Sequence, residues 1–223
     1  MAEAIPSSSM PFDAVAGGIL ARTGGSLDIE FYQNLNSIGH KAFVDRLKSV
    51  APNAQDILDV GARYGSLTCK LKEAWRNANV IGLDASPNSL VVARLVCPDA
   101  RFFEHDINNL FPVAEGSQDI VASLETLKYL KTAPAAIAHM MHVLKQGGVA
   151  GFSIRTHEGE CVEERGSFSP DGHRTPSATI PIYSHPFASI EKAISDSGGV
   201  ILNKPSVSGD AVCNTILVRK AEP

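Results

Sequence analysis

Cysteine is scarce in this 223-residue chain, and its four copies, Cys69, Cys97, Cys161 and Cys213, stand apart with no Cys-x-x-Cys pair. That scatter excludes a disulfide scaffold and fits reduced thiols in a cytoplasmic protein. An excess of basic charge is missing too. Twenty Lys and Arg against 24 Asp and Glu give a formal net charge of −4, which offers no field for a phosphate backbone, so nucleic acid is not an expected partner. No apolar run is long enough to span a bilayer. The opening Met1-Ala-Glu-Ala-Ile-Pro-Ser-Ser-Ser has an acid and no base, unlike the charged head and apolar centre of a secretory signal, so no membrane association is expected. His157, Cys161, His173 and His185 lack the short paired spacings of a structural zinc site, and no metal is expected.

What is present suits one globular domain: 44% hydrophobic and 20% charged residues in a length that supports a sizeable core. Residues 1–11 read as a polar tail and 12–223 as the domain. From Ile29 to Val50, Phe31, Leu35, Ile38, Phe43 and Leu47 recur at helical steps. Tyr32 on that helix either packs or touches a ligand. An apolar run then ends at Asp59 and meets Gly61 and Gly65, spaced for a strand-to-helix turn. Gly61 removes the side chain that would hold a ligand off the backbone, and Gly65 lets the next helix pack closely against the strand.

A second strand, Val80 to Leu83, ends in Asp84, a carboxylate suited to a ribose diol. Ser86 and Pro87 then signal a capped helix through Val96. Short strands follow at Arg101 to His105, Gln118 to Ser123 and Val149 to Ile154, with a helix over Ala133 to Leu144 that ends at Gly147-Gly148. A last helix, Pro186 to Ser197, precedes two runs, Val200 to Asn203 and Ala211 to Arg219, which form an antiparallel hairpin. Strands alternating with helices require a parallel sheet covered on both faces. The predicted fold is α/β, doubly wound and Rossmann-like, with a mostly parallel seven-stranded sheet and an antiparallel C-terminal hairpin.

Asp59, Gly61, Gly65 and Asp84 resemble the first two motifs of the class I S-adenosylmethionine-dependent methyltransferases, the first of which commonly reads Asp-x-Gly-x-Gly-x-Gly. Arg63 stands where that pattern has its middle glycine. It either narrows the pocket, pairs with the methionyl carboxylate, or marks a lineage that no longer binds the cofactor. The resemblance implies S-adenosylmethionine as cofactor and a small-molecule acceptor. It implies that Asp59, Gly61, Ala62 and Gly65 approach the methionyl part, that Asp84 holds the ribose and Ala85 flanks the base, that Asp106 and Ile107 lie beside the adenine, and that Ser123 and Leu124 line the reacting sulfur. Asp106 has a second reading as a turn cap before Asn108. A related transferase using the cofactor or a derivative, or a binding protein retaining the fold, are the alternatives.

Direct displacement from a sulfonium needs orientation more than it needs a catalytic group. Where the acceptor must lose a proton, His157 and His185 are the candidate bases, with Glu158 and His173 beside them. All four lie in residues 155–185, a polar stretch without periodicity, long enough to be an acceptor-side lid or insertion.

Overall fold

A computed structural model describes residues 37–167, 179–203 and 212–222. Phe12, Phe31, Tyr32, Leu35 and His173 lie outside the described residues, as does the tail. The elements are α1 (Ser37–Val50), β1 (Asp56–Val60), α2 (Ser66–Ala74), β2 (Asn79–Asp84), α3 (Pro87–Val96), β3 (Arg101–Glu104) and β4 (Gln118–Ser123). After a 3₁₀ turn at Leu127–Tyr129 come α4 (Ala133–Val143), β5 (Leu144–His157), β6 (Val162–Ser167), β7 (Thr179–Pro186), α5 (Phe187–Asp196), β8 (Gly199–Ile201) and β9 (Val212–Lys220).

The parallel strands run β3-β2-β1-β4-β5, so strand order reverses between β1 and β4. β9 pairs antiparallel with β5 from Val149 to Thr156 and carries β8 on its far side, forming the expected antiparallel pair. Alternating residues explain the two layers. Leu58, Val60, Val121, Ala150 and Phe152 meet Ile137, Met140 and Met141 of α4 and Ile190 and Ile194 of α5. The other face carries Ile57, Val80, Ile120 and Val149 under Phe43 and Leu47 of α1 and Leu67 and Leu71 of α2. Each of the larger of these side chains contributes roughly 1.5–3 kcal/mol by leaving water. Gly151 makes room for α1, because a side chain there would meet Phe43, Leu47 and Leu217 within 3.0 Å.

Sequence patterning placed β1, β2, β4 and α3 closely. Ser86 accepts the Ser89 amide proton at 3.1 Å and Pro87 opens α3. Two boundaries differ. α4 stops at Val143, and Gly147, with φ 74°, belongs to the irregular start of β5, where Leu144 pairs with Gln118 and Val149 with Ile120. The closing turn of α5 uses Gly198, φ 72°, whereas Gly199 already belongs to β8.

The larger correction concerns 155–185. The segment was expected to lack regular structure, but β6 and β7 pair antiparallel as a hairpin. Thr156 of β5 is registered with both His185 of β7 and Val212 of β9, so β7 and β9 flank β5 on opposite edges. β7 thus occupies the β4 edge, beyond the end of β4. Two strands are thereby added to the seven foreseen.

Candidate functional site

The carboxyl ends of β1, β2 and β4 meet where the strand order reverses, the place open α/β sheets reserve for ligands. The turn after β1 is fastened to β2. The Gly61 and Ala62 amides both donate to the Leu83 carbonyl, at 2.8 and 2.9 Å, and the Arg63 amide donates to Asp84 Oδ2 at 2.8 Å. Asp84 Oδ1 accepts the Ser86 amide proton at 2.9 Å. The half-buried carboxylate accepts from two amides at the tip of β2. Ala85 is half-buried beside it.

Alternate residues of this turn are left-handed: Gly61 at φ 83°, Arg63 at 49° and Gly65 at 82°. Arg63 therefore occupies a position whose backbone favours glycine, at a cost of about 1–2 kcal/mol. Its guanidinium lies 4.6 Å over the Tyr64 ring, and the side chain is half-buried. Arg63→Gly is expected to keep or raise the unfolding midpoint in urea while weakening cofactor affinity, since backbone relief and loss of a cation act on different quantities. Tighter binding would show that the arginine obstructs the site.

The two glycines act differently from the sequence reading. A side chain at Gly61 would meet Thr126 Oγ1 at 2.1 Å, so the space above it is filled by the segment after β4. A side chain at Gly65 would meet Ala93 at 3.2 Å, so this glycine seats the turn against α3, not against the strand. Ala62 is buried with Leu90, Ala93 and Phe102 and serves as packing.

Asp59 is 1% exposed and accepts a hydrogen bond from Thr68 Oγ1 at 2.6 Å, which ties β1 to α2. Burial pushes its carboxyl up to about 7; the Thr68 bond opposes this and Asp84 adds to it. A carboxyl raised in the folded state contributes stability that is full below its unfolded value and is lost as pH rises through about 7. Asp59→Asn should remove that loss. The variant's urea midpoint is expected to gain on the parent between about pH 5 and about pH 8, by at most roughly 3 kcal/mol in stability. Parallel pH profiles for the two proteins would refute it.

At the β4 tip, Ser123 is fully buried and donates to the Val60 carbonyl at 2.8 Å, bracing β4 against β1, while Leu124 is half-buried. Asp106 Oδ1 accepts from both the amide and the side chain of Asn108 at 2.9 Å, the turn-capping arrangement, and Ile107 packs on the main core.

The structure separates the two candidate bases. Thr156 is registered opposite His185, which puts His157 on the other face of β5. His185 lies against the Leu130 carbonyl, Nε2 to oxygen 2.9 Å; a carbonyl only accepts, so Nε2 carries the proton. In the neutral ring Nδ1 then faces Cys161 Sγ at 3.7 Å as an acceptor. Burial lowers the His185 pKa, the Leu130 bond raises it and His157 lowers it further. Both nitrogens are occupied in holding β7, which argues against a free base. His157 is 8% exposed, and its Nδ1 has no hydrogen-bond partner among the described residues. Glu158 is exposed. No group of three metal-binding side chains forms among the described residues, and the four cysteines are free, Cys69 and Cys97 buried, Cys161 and Cys213 exposed.

Sequence reasoning missed a second polar group on the α1 face. Glu125, left-handed at φ 59°, donates its amide proton to Ser153 Oγ at 2.7 Å and pairs with Lys128. Cys213 Sγ lies 3.8 Å from its carboxylate. His40 of α1 is 8% exposed, and burial holds its pKa down at about 4, against the pull of Glu125 and with the push of Lys70. A glutamate has no sequence signal for left-handed backbone, and His40 lay on a helix read only for its apolar stripe.

Comparison with known proteins bears on the domain and the fold. Residues 57–148 match the model of the methyltransferase domain family. A 97-residue stretch is 32% identical to trans-aconitate 2-methyltransferase of Enterobacter sp. (strain 638), covering 44% of this chain and 38% of that protein. The Escherichia coli enzyme of strain ATCC 8739 is 31% identical over 97 residues, again with 38% of its length covered. The chain thus matches well under half the length of these relatives. Among solved structures, magnesium protoporphyrin IX methyltransferase from Synechocystis PCC 6803 with bound S-adenosylmethionine superposes with TM-score 0.61 at 20% identity, covering 99% of this chain and 100% of that one. An amino pentose methyltransferase from Micromonospora echinaspora gives TM-score 0.63 at 19% identity, with 92% and 96% covered. Residues 57–148 thus match the methyltransferase domain family, and the fold is that of the methyltransferase structures with which the chain superposes.

Proposed function

We propose that this chain transfers a methyl group from S-adenosylmethionine to a small-molecule acceptor by in-line displacement. The observation that carries the reading is the turn from Gly61 to Gly65, docked on Leu83 and Asp84 beside the β1–β4 reversal. Asp84 offers its fixed carboxylate to the ribose hydroxyls. Arg63 at the turn supplies a cation for the methionyl carboxylate. Asp106 and Ile107 border the adenine side, and Ser123 and Leu124 set the level of the reacting sulfur. Gly61, Ala62 and Gly65 shape the turn, and Asp59 supports it from beneath through Thr68. These residues fit the cofactor, because the Gly61–Gly65 turn is bonded to the Asp84 carboxylate at neighbouring strand tips beside the β1–β4 reversal.

The cofactor supplies the electrophile, a methyl carbon on a positively charged sulfur. The chain's part is to hold an acceptor in line and keep water out. The β6–β7 hairpin beyond β4 and α1 on the opposite layer would form the acceptor walls. The named relatives and neighbours act on trans-aconitate, a magnesium porphyrin and an amino pentose, all small molecules, which supports the same class here.

Isothermal titration with S-adenosylmethionine and S-adenosylhomocysteine tests the reading. Saturable binding of both at one site is expected; binding of neither rejects it. Deleting residues 160–174, which include β6, should leave cofactor affinity within about twofold of the parent, because the proposed cofactor contacts precede β5. Loss of cofactor binding on that deletion would place the hairpin in the cofactor site instead.

A further inference from the structure

α1 runs antiparallel to β5. Its last carbonyl, of Val50, accepts from Arg219 at 3.1 Å, and Arg219 is registered with Val149 in the early part of β5. Phe43 and Leu47 lie over Gly151. His40, one turn before Phe43, therefore stands at the level of Ser153, toward the carboxyl ends of the strands. Its side chain is more than nine-tenths buried, and Nδ1 has no hydrogen-bond partner among the described residues. Buried polar atoms are rarely left so, and each exception needs a reason.

The neighbour supplies one. Glu125 follows the β4 tip in a conformation unfavourable for its residue type, held by the Ser153 hydroxyl, and close enough for its charge to act on His40. Strain of this kind persists where the surroundings enforce it, and it recurs at reacting sites. A buried ring whose Nδ1 lacks a partner among the described residues and the Glu125 carboxylate, 3.5 Å from Ser153 Oγ, thus lie on the same face of the sheet.

We propose that His40 accepts the proton of the methyl acceptor and that Glu125 is the positioning residue that favours the charged ring, so the acceptor carries a proton on its nucleophilic atom, as a hydroxyl or an amine does. The proposal rests on the methyl-transfer reading above. The acceptor's oxygen or nitrogen forms a bond to the methyl carbon, the carbon–sulfur pair stays on sulfur, and the acceptor's proton passes to Nδ1 of His40. The sulfonium charge disappears as the imidazolium charge appears, so the net charge of the site is unchanged, and water later removes the proton. A carboxylate acceptor would need no such base.

Two cofactor analogues test this without a known acceptor. Sinefungin carries an amine-bearing carbon in place of the methylated sulfur, so its ammonium would donate to Nδ1 of His40, whereas S-adenosylhomocysteine would not. His40→Leu is expected to lose tenfold or more in sinefungin affinity with S-adenosylhomocysteine affinity unchanged, and His40→Gln, which retains an acceptor atom, should recover most of the loss. On the unaltered chain, the ring nitrogens of ¹⁵N-labelled His40 should shift with sinefungin and not with S-adenosylhomocysteine, a reading that holds even if His40→Leu fails to fold. Equal affinities of parent and His40→Leu for both analogues, equal loss of both, or a His40 ring signal that ignores sinefungin would overturn the proposal while leaving the cofactor site intact. If the parent binds neither analogue, the methyl-transfer reading falls and the role of His40 falls with it.

Discussion

Gly61→Val is expected to destabilise the protein by at least about 3 kcal/mol, and it should act through Thr126 before any ligand is involved. The added Cβ would lie 2.1 Å from Thr126 Oγ1 and 2.7 Å from Thr126 Cβ, inside any tolerable contact. The backbone at φ 83° adds strain that a β-branched residue feels most. Thr126 cannot swing freely, because its hydroxyl donates to the Leu124 carbonyl at 3.1 Å and the next residues enter the 3₁₀ turn. A double variant, Gly61→Ala with Thr126→Gly, separates the two terms: removing the clash should leave only the conformational cost of about 1–2 kcal/mol. Urea unfolding of the three proteins provides the comparison. A Val variant within about 1 kcal/mol of the parent would mean that the β1 and β4 tips are not keyed together as described.

Asp84→Ala carries the other large effect, and it strikes both stability and affinity. Removing the carboxylate frees the amides of Arg63 and Ser86, each of which loses a charge-assisted bond. Because the group is half-buried, water replaces part of what is lost, so the expected destabilisation is about 2 kcal/mol. Affinity for S-adenosylhomocysteine should fall by about tenfold to a hundredfold, the range for losing hydrogen bonds to a charged group. Asp84→Asn keeps an acceptor and should lie between. Calorimetric titration of the folded Ala variant decides the matter: parental affinity would remove Asp84 from the ribose site, even if stability falls as expected.

The legible parts of this chain were those written in local pattern. Ile57 to Val60 and Val80 to Leu83 are apolar runs bounded by polar turns, and Ser86-Pro87 specifies a helix start with its own hydrogen bond. Asp84 was legible as the end of β2, because the apolar run stops there. The hairpin was illegible for the opposite reason. β6 contains Glu163, Glu164 and Arg165 in succession, and its strand state is imposed by pairing with β7, a long-range effect that no window of residues records. The turn conformation was half legible. Gly61 and Gly65 marked the turn, while Arg63 shares their left-handed conformation under a side chain that conceals it. His157 and His185 act on one another electrostatically but occupy opposite faces, because one residue of register sends a side chain to the other layer, which sequence proximity does not record.

The position of β9 bears on how the protein is made. β9 lies between β5 and β8, so the exposed edge of β5 has no partner until residues 212–220 have been synthesised. On the ribosome, the parallel sheet from β3 to β5 can form while that edge, with Val149 to Ile154 along it, is still open to other strands. The nascent chain is most prone to aggregation in that interval. Slowing translation after β5 would lengthen the exposure, and a supply of the β9 segment in trans would shorten it.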